Sequence, residues 1–246
     1  MSKEPQELYD APKREINTEK TFIIFCEDKV SEPIYFKYFE TSRIKVSPIE
    51  KQKSGIDNVL NAIRYCKENE MMEYQDGLLQ FKENGASIWC VFDRDKSEQS
   101  DDEDFNESIN IARKKGINVA WSNDAFELWV LLHFEDVDVD LPENKLRKTY
   151  YDRLTDIFKN LPEKNDDLVK ALSHASFSYK KDLKRETNFR QIVRAEIVQN
   201  THLALQRAKT LEAYHATPNK PNHQKSPCTM VHYLVEKLLE IGGKEV

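Results

Sequence analysis

Two short apolar runs, each ending abruptly in acidic residues, constrain the fold of this chain most strongly. Residues 21–26 (TFIIFC) run directly into Glu27, and residues 87–92 (SIWCVF) run into Asp93 and Asp95. Apolar runs of this length without alternation are typical of strands buried on both faces of a parallel sheet. Because the carboxyl ends of parallel strands share one edge of the sheet, the three acids are expected to lie at that edge.

The segments between these runs predict alternating strands and helices. Further strands are predicted at about 44–49 and 117–121, and helices at about 31–39, 56–72 and 104–115. Such βα units indicate a parallel sheet with helices on both faces. A helix over 125–134, capped by Ser122 and Asn123, is apolar almost all round and is therefore expected to be buried. Glu127 lies inside this helix.

Strand signals vanish beyond residue 141. Helices are predicted at about 143–160, 165–175, 182–214 and 227–241. We therefore predict an α/β fold, with a flexible leader over residues 1–20, a catalytic domain over 21–140 and a helical C-terminal region over 141–246 packed on it.

Charge divides the chain in the same way. Residues 1–140 carry 18 basic and 30 acidic side chains, whereas residues 141–246 carry 19 basic and 13 acidic ones. The acidic part is suited to cations and the basic part to a polyanion such as nucleic acid, although both patterns are also typical of ordinary solvated faces. The excess of basic side chains is concentrated between residues 180 and 209.

Several classes of protein are disfavoured by the composition. No stretch approaches the roughly 18 consecutive apolar residues of a transmembrane helix, and the polar N-terminus lacks a signal-peptide pattern, so a cytoplasmic location without membrane contact is expected. The four cysteines form no CxxC pair and the histidines form no HExxH pattern. A structural zinc site or a disulfide framework is therefore not expected.

The acids at the strand ends point to a divalent cation. Rigid strand ends hold ligands precisely, and hard oxygen ligands without nearby histidine or cysteine suit Mg²⁺ or Mn²⁺. We expect Glu27, Asp93 and Asp95 to bind the metal and Glu127 to complete the site from its helix. The alternatives are that the strand-end acids are solvated turn formers and that Glu127 is a structural acid bonded to backbone or to Asn123.

Four segments, taken in order and spacing, resemble the RloB-like proteins, a bacterial group with a Toprim-type domain often encoded among restriction and phage-defence genes. They are FCEDKVSEPIYFKYF, VFDRD, AWSNDAFELWVLLHF and SPCTMVHYLVEKL, spread over roughly residues 20–241. The resemblance implies a Toprim-like parallel sheet flanked by helices, with the first-strand glutamate and the later DxD binding Mg²⁺ for phosphodiester chemistry. One departure is Asp28, which stands where the family usually has glycine.

The resemblance also implies a nuclease that cleaves DNA or RNA, including tRNA, in antiphage defence. Glu27 would act as a metal ligand or general base, and Asp93 and Asp95 would hold one or two Mg²⁺ ions. Because unrestrained cleavage is toxic, control by a partner ATPase encoded nearby is hypothesised. This chain itself lacks the GxxxxGK[ST] pattern of a P-loop.

Basic residues are the candidates for contacts with phosphate. Lys180, in the family-like segment SYKKD, is the expected catalytic cation. The predicted helix over 182–214 is expected to track a phosphate backbone. The expected nucleic-acid contacts are Lys181, Lys184, Arg185, Arg190 and Arg194. A solvated surface charge is the alternative for each of these side chains.

Two other functions remain open at this point. A Toprim-like domain that has lost catalysis would act as a nucleic-acid-binding or regulatory module. Asp28, in place of the usual glycine, is the sequence feature that leaves this function open. A metal-dependent phosphatase also uses acids at strand ends. Such enzymes normally use the first Asp of a DxD as a nucleophile, with a hydroxyl or hydrophobic residue following the motif, whereas this chain has Lys96 and Ser97 there.

Overall fold

A computed structural model describes residues 20–53, 55–82, 85–94 and 100–244, without the side chains of Ser100 and Asp101. The predicted leader over residues 1–20 lies outside the described residues except for Lys20, and Asp95, Lys96 and Ser97 lie outside them as well.

The core of the fold is a five-stranded sheet in the order β2-β1-β5-β6-β7, beside a separate hairpin of β3 and β4. The strands are β1 (Lys20–Cys26), β2 (Ile44–Ile49), β3 (Met72–Gln75), β4 (Leu78–Phe81), β5 (Ala86–Asp93), β6 (Asn118–Asn123) and β7 (Cys228–Thr229). The first four strands of the sheet in this order are parallel, and only the β6–β7 pair is antiparallel.

Helices cover both faces of this sheet. The α-helices are α1 (Ser31–Lys37), α2 (Gly55–Glu68), α3 (Ser100–Lys114), α4 (Glu127–Leu132), α5 (Arg147–Asn160), α6 (Asp166–Leu172), α7 (Glu186–Asn188), α8 (Arg194–Ile197), α9 (Thr201–Tyr214) and α10 (Val231–Gly242). Short 3₁₀ turns lie at Pro142–Lys145, Val198–Asn200 and Asn222–Gln224, and π turns lie at Tyr179–Leu183 and Phe189–Val193. The predicted α/β fold, with its mostly parallel sheet and C-terminal helices, is confirmed.

Strand β1 shows why the sheet forms as the apolar pattern predicts. Phe22, Ile24 and Cys26 enter a large cluster with α1, α4 and the C-terminal helices, whereas Ile23 and Phe25 enter a second cluster with α2 and α3. All five side chains are buried, because successive residues of a strand point to opposite faces and both faces are covered.

The start of the helix after β6 differs from the prediction. Strand β6 runs through Ser122 and Asn123, and helix α4 begins only at Glu127. The two residues pair with β7, and Oγ of Ser122 lies 2.9 Å from Oγ1 of Thr229. They extend the sheet and therefore do not cap the helix. The prediction that the following helix is buried is confirmed, since every residue of α4 is buried.

Sequence patterning missed two regions of strand. The β3–β4 hairpin replaces the end of the predicted helix over 56–72, which stops at Glu68. Its turn residues Asp76 and Gly77 both have positive φ, as a tight Asp-Gly hairpin turn requires. The second region is β7, where the chain beyond residue 141 contributes a strand after all. With two residues, that strand is too short to leave a periodic signal.

The prediction of one continuous helix over 182–214 is also wrong. An extended residue, Arg185, interrupts it, and a regular helix of more than one turn appears only at α9. The side chain of Asn188 donates a 2.8 Å hydrogen bond to the carbonyl of Asp182 and so links the two sides of the interruption. A polar side chain that satisfies the backbone in this way competes with helical hydrogen bonding.

The C-terminal helices do not form a separate core. Residues of α5, α9 and α10 share one hydrophobic cluster with β1, α1 and α4. All four cysteines are buried and unpaired, as expected for reduced thiols in an apolar interior. Among the described residues, no helix is both long and apolar enough to cross a membrane.

Candidate active site at the carboxyl edge of the sheet

Glu27 and Asp93 meet where β1 and β5 end side by side. Cys26 is paired with Val91 in the parallel register, so Glu27 follows β1 at the level where β5 ends. The backbone N–H of Asp93 donates a 2.9 Å hydrogen bond to Oε2 of Glu27. The expected neighbouring position of the two strands is therefore confirmed. Asp95 lies outside the described residues.

Burial and repulsion act together on Asp93. Burial, the larger cause, and the neighbouring Glu27 raise the pKa of the Asp93 carboxyl well above its usual range. The guanidinium of Arg147 opposes this, since its Nη2 lies 3.2 Å from Oδ2 of Asp93. A positive charge added near Asp93 would therefore favour its ionised form.

Glu32 is a further buried acid at this edge, on α1. Its side chain is almost fully buried, and its Oε2 accepts a 3.2 Å hydrogen bond from the backbone N–H of Asp28. Burial, followed by repulsion from Asp93, Glu27 and Asp28, raises the pKa of Glu32 well above its usual range. The sequence signal for such a residue was an acid inside an otherwise apolar helix start.

Asp28 caps the chain segment that leads from β1 into α1. Its carboxylate accepts hydrogen bonds from the backbone N–H groups of Lys29, Val30 and Ser31. Burial disfavours its charge, but Lys184 and these hydrogen bonds outweigh that effect and lower its pKa. The positive-φ residues of the described chain do not include Asp28, so this backbone position does not require glycine.

Glu127 reaches the site from the first turn of α4 and is paired with a lysine. Its side chain is 1% exposed, and Nζ of Lys184 lies 2.6 Å from its Oε1. The same ammonium lies 3.5 Å from Oδ2 of Asp28. Although burial disfavours the charged form of Lys184, Glu127 and Asp28 outweigh it and raise the pKa of this lysine. Glu127 is thus paired with a lysine of the protein. Neither alternative considered from the sequence, a metal ligand or an acid bonded to backbone or to Asn123, included this ion pair.

Arg147 is a site residue that sequence reasoning missed. It begins α5, and its Nη2 contacts both Asp93 and the carbonyl of Asp124, each at 3.2 Å. Its backbone N–H donates to Oδ2 of Asp124, also at 3.2 Å. Nothing in the local pattern marks this arginine, because its role follows from tertiary contact with an acid 54 residues earlier in the chain.

Tyr151 lies one helical turn after Arg147 and was missed as well. Its ring stacks on the buried ring of Tyr179 at 6.1 Å, and the ammonium groups of Lys180 and Lys184 lie 5.5 and 5.8 Å from its centroid. Burial and the nearby Glu127 raise the pKa of Tyr151 to about 12. This tyrosine therefore carries its hydroxyl proton at neutral pH.

The remaining basic candidates lie along residues 179–200, in the interrupted helical segment. Lys180 and Lys181 are exposed, and the side chain of Arg185 is 63% exposed. Arg190 pairs with Glu186 at 3.2 Å, and the guanidinium of Arg194 lies 5.9 Å from the ring of Tyr38. Lys184 differs from these residues, since it is directed into the acidic site.

The residues present fit a magnesium ion in part. In the portion of the chain that the structure describes, no three His, Cys, Asp or Glu side chains are grouped so that they could hold a metal ion. Mg²⁺ commonly needs only one or two carboxylates, because water and substrate phosphate supply its other ligands. Glu27 and Asp93 meet that need with hard oxygen donors, and the pKa of Asp93, raised chiefly by burial and further by Glu27, would be lowered by a cation bound beside it.

Comparison with protein families identifies the class to which this fold and site belong. The sequence profile of the RloB-like proteins matches residues 22–238, which is most of the chain. The chain is therefore a member of the RloB-like protein family, as its motifs indicate. Searches among curated proteins and among solved structures gave no match.

Proposed function

We propose that this chain is a Mg²⁺-dependent nuclease of the Toprim type, which hydrolyses phosphodiester bonds in DNA or RNA. The observation that carries the proposal is the meeting of Glu27 and Asp93 at the carboxyl edge of the parallel sheet. Ligands and catalytic groups collect at this edge in open α/β sheets. Membership of the RloB-like family supports the assignment.

Glu27 and Asp93 would hold the ion, with Asp95 as the third expected ligand. The bound Mg²⁺, or Mn²⁺ in its place, would polarise the phosphate and stabilise the charge that develops on it. The hydrogen bond from the Asp93 backbone orients the carboxylate of Glu27, which suits a ligand or a base that accepts a proton from water. Residues on rigid strands keep such geometry better than residues on loops.

Cationic side chains around the acids would bind the substrate phosphate. Arg147 contacts Asp93, and Lys180 lies above the ring of Tyr151 beside Lys184. A cation beside the scissile phosphate stabilises the transition state electrostatically. The exposed basic residues Lys181 and Arg185 would contact the flanking backbone.

The biological setting that we propose is antiphage defence in the cytoplasm, with activity released by a partner ATPase. The support is the resemblance to proteins encoded among restriction and defence genes, together with the absence of a P-loop motif from this sequence. Free degradation of nucleic acid by the purified chain with Mg²⁺ alone would contradict this form of control.

The test compares the wild-type protein with Asp93→Asn, which keeps the size of the side chain and removes its charge. Glu107→Gln, an exposed position on α3, is the control. Each protein is incubated with supercoiled DNA, single-stranded DNA and total tRNA, in Mg²⁺, Mn²⁺ or EDTA. A slow basal cleavage that requires metal, survives in the control and is lost in Asp93→Asn is the expected result, whereas rapid and complete degradation by the purified chain would contradict control by a partner.

Two other outcomes would favour the alternative functions. Salt-dependent binding without cleavage, combined with no binding of metal, would indicate a binding or regulatory module. Release of phosphate from a colorimetric substrate, without cleavage of any nucleic acid, would indicate a phosphatase. Either result would contradict the nuclease.

A further inference from the structure

We propose that Lys184 is a built-in cation of the site, whose ammonium takes the place of a second divalent ion between Asp28 and Glu127. The chain would then work with a single divalent ion, held by Glu27 and Asp93. This inference rests on the proposed metal-dependent function and states how many ions that function uses.

The geometry is that of a cation shared by two carboxylates from different elements. Nζ of Lys184 lies 2.6 Å from Oε1 of Glu127 at the start of α4, and 3.5 Å from Oδ2 of Asp28 in the segment after β1. At these distances both contacts are ion pairs, and opposite charges this close attract one another strongly where water is partly excluded. The ammonium therefore joins two acids that lie 99 positions apart in the sequence.

Burial explains why a cation is needed at this point. The side chain of Glu127 is 1% exposed, and an ionised carboxylate at such a depth is costly unless it is paired. The side chains of Lys184 and Asp28 are 25% and 26% exposed, so this pair is partly open to solvent. The ammonium is thus placed to neutralise the buried acid and to meet a phosphate from solvent.

The chemistry of Asp28 and Glu127 explains why it matters whether an ammonium or a divalent ion lies between them. In sites with two ions, the ions lie about 3.5–4 Å apart and share the neutralisation of the reacting phosphate. Oxygen atoms of Asp28 and Glu127 are the kind of donor that Mg²⁺ or Mn²⁺ accepts. An ammonium paired with both acids supplies one positive charge and stays tethered to the chain, so it competes with an ion for these oxygens without removing the charge that the phosphate needs.

The test counts ions. Purified full-length chain is titrated with Mn²⁺ by calorimetry, as wild type, Lys184→Met, Lys184→Arg and the control Lys148→Met. Lys148 pairs with Asp152 at 2.5 Å, but both side chains are exposed, so loss of that pair frees no buried acid. We expect one ion per chain for wild type, Lys184→Arg and the control, and two for Lys184→Met.

A second measurement needs no variant. At saturating Mn²⁺, the electron paramagnetic resonance spectrum of the wild-type protein is expected to show isolated ions. A spin-coupled pair, or two ions in the wild-type titration, would overturn the inference and leave the proposed function intact. One ion in a folded Lys184→Met would also overturn it. No binding at all by the wild type would instead refute the metal site of the proposed function.

Discussion

The backbone N–H of Asp93 donates a 2.9 Å hydrogen bond to Oε2 of Glu27, across 66 positions of sequence. The donor belongs to the last residue of β5, and the acceptor follows the last residue of β1. The orientation of the Glu27 carboxylate therefore depends on the sheet itself. This arrangement gives the candidate metal ligands a rigid support.

Divalent cations are expected to stabilise the wild-type protein against unfolding, and Asp93→Asn is expected to remove this effect. A ligand that binds only the native state adds about 2.7 kcal/mol at a concentration one hundred times its Kd. Thermal melts in Mn²⁺ and in EDTA provide the measurement. Glu107→Gln, on the exposed face of α3, should keep the full stabilisation. Equal stabilisation of Asp93→Asn would show that the ion binds elsewhere.

The buried carboxyl of Glu32 predicts a specific dependence of stability on pH. Its pKa is raised in the folded state by burial and by the neighbouring acids. Between the pKa of the unfolded chain and this raised value, the folded state holds a proton that the unfolded state has lost. Stability therefore falls as pH rises through this window, by up to about 1.4 kcal/mol per pH unit for one group.

Glu32→Gln removes that titration and should become more stable relative to wild type as pH increases from 5 to 8. Urea unfolding in EDTA at several pH values measures the difference. Glu40→Gln is a matched control, because the pKa of Glu40 is lowered, chiefly by its hydrogen bond with Lys37. The stability contributed by Glu40 is lost only in more acidic solution, so its variant should run parallel to wild type. A parallel profile for Glu32→Gln would contradict the prediction.

The central strands and their acids could be predicted from the sequence because their signal is local. A strand buried on both faces needs an unbroken apolar run, and β1 and β5 have one. The parallel βα order then brings the ends of the strands to one edge. The pattern of residues alone therefore predicts that Glu27 and Asp93 lie close together.

The cations of the site could not be predicted in this way, since nothing local distinguishes them. Arg147 and Lys184 resemble other basic residues of the C-terminal region, and only tertiary packing brings them to Asp93 and Glu127. Lys180 was favoured by its motif, yet it is Lys184 that pairs with Glu127 and Asp28. The π turn Tyr179–Leu183 ends directly before Lys184 and places it there, and helical periodicity does not predict such a turn.

The pair formed by Lys184 and Glu127 predicts a strong coupling in stability. In EDTA, Lys184→Met should lower the free energy of unfolding by about 3 kcal/mol. This loss is near the low end of the range for breaking a buried ion pair, because the side chain of Lys184 is partly exposed. Adding Glu127→Gln should restore much of this loss, since no buried charge then lacks a partner. Chemical unfolding of wild type, both single variants and the double variant measures the coupling. Additive losses would show that the two side chains do not support each other.

Nucleic-acid binding is expected to depend on the exposed basic residues beside the site. Each lysine or arginine that neutralises a phosphate contributes about 0.9 to the slope of log K against log salt for duplex DNA, and about 0.7 for single strands. The double variant Lys181→Ala/Arg185→Ala should therefore lower the slope by roughly 1.4 to 1.8, similarly for all sequences. Fluorescence anisotropy in EDTA measures binding without cleavage. Lys114→Ala, an exposed lysine in the last turn of α3, should leave the slope unchanged. If both proteins retained the wild-type slope, the phosphate path would lie away from residues 181–185.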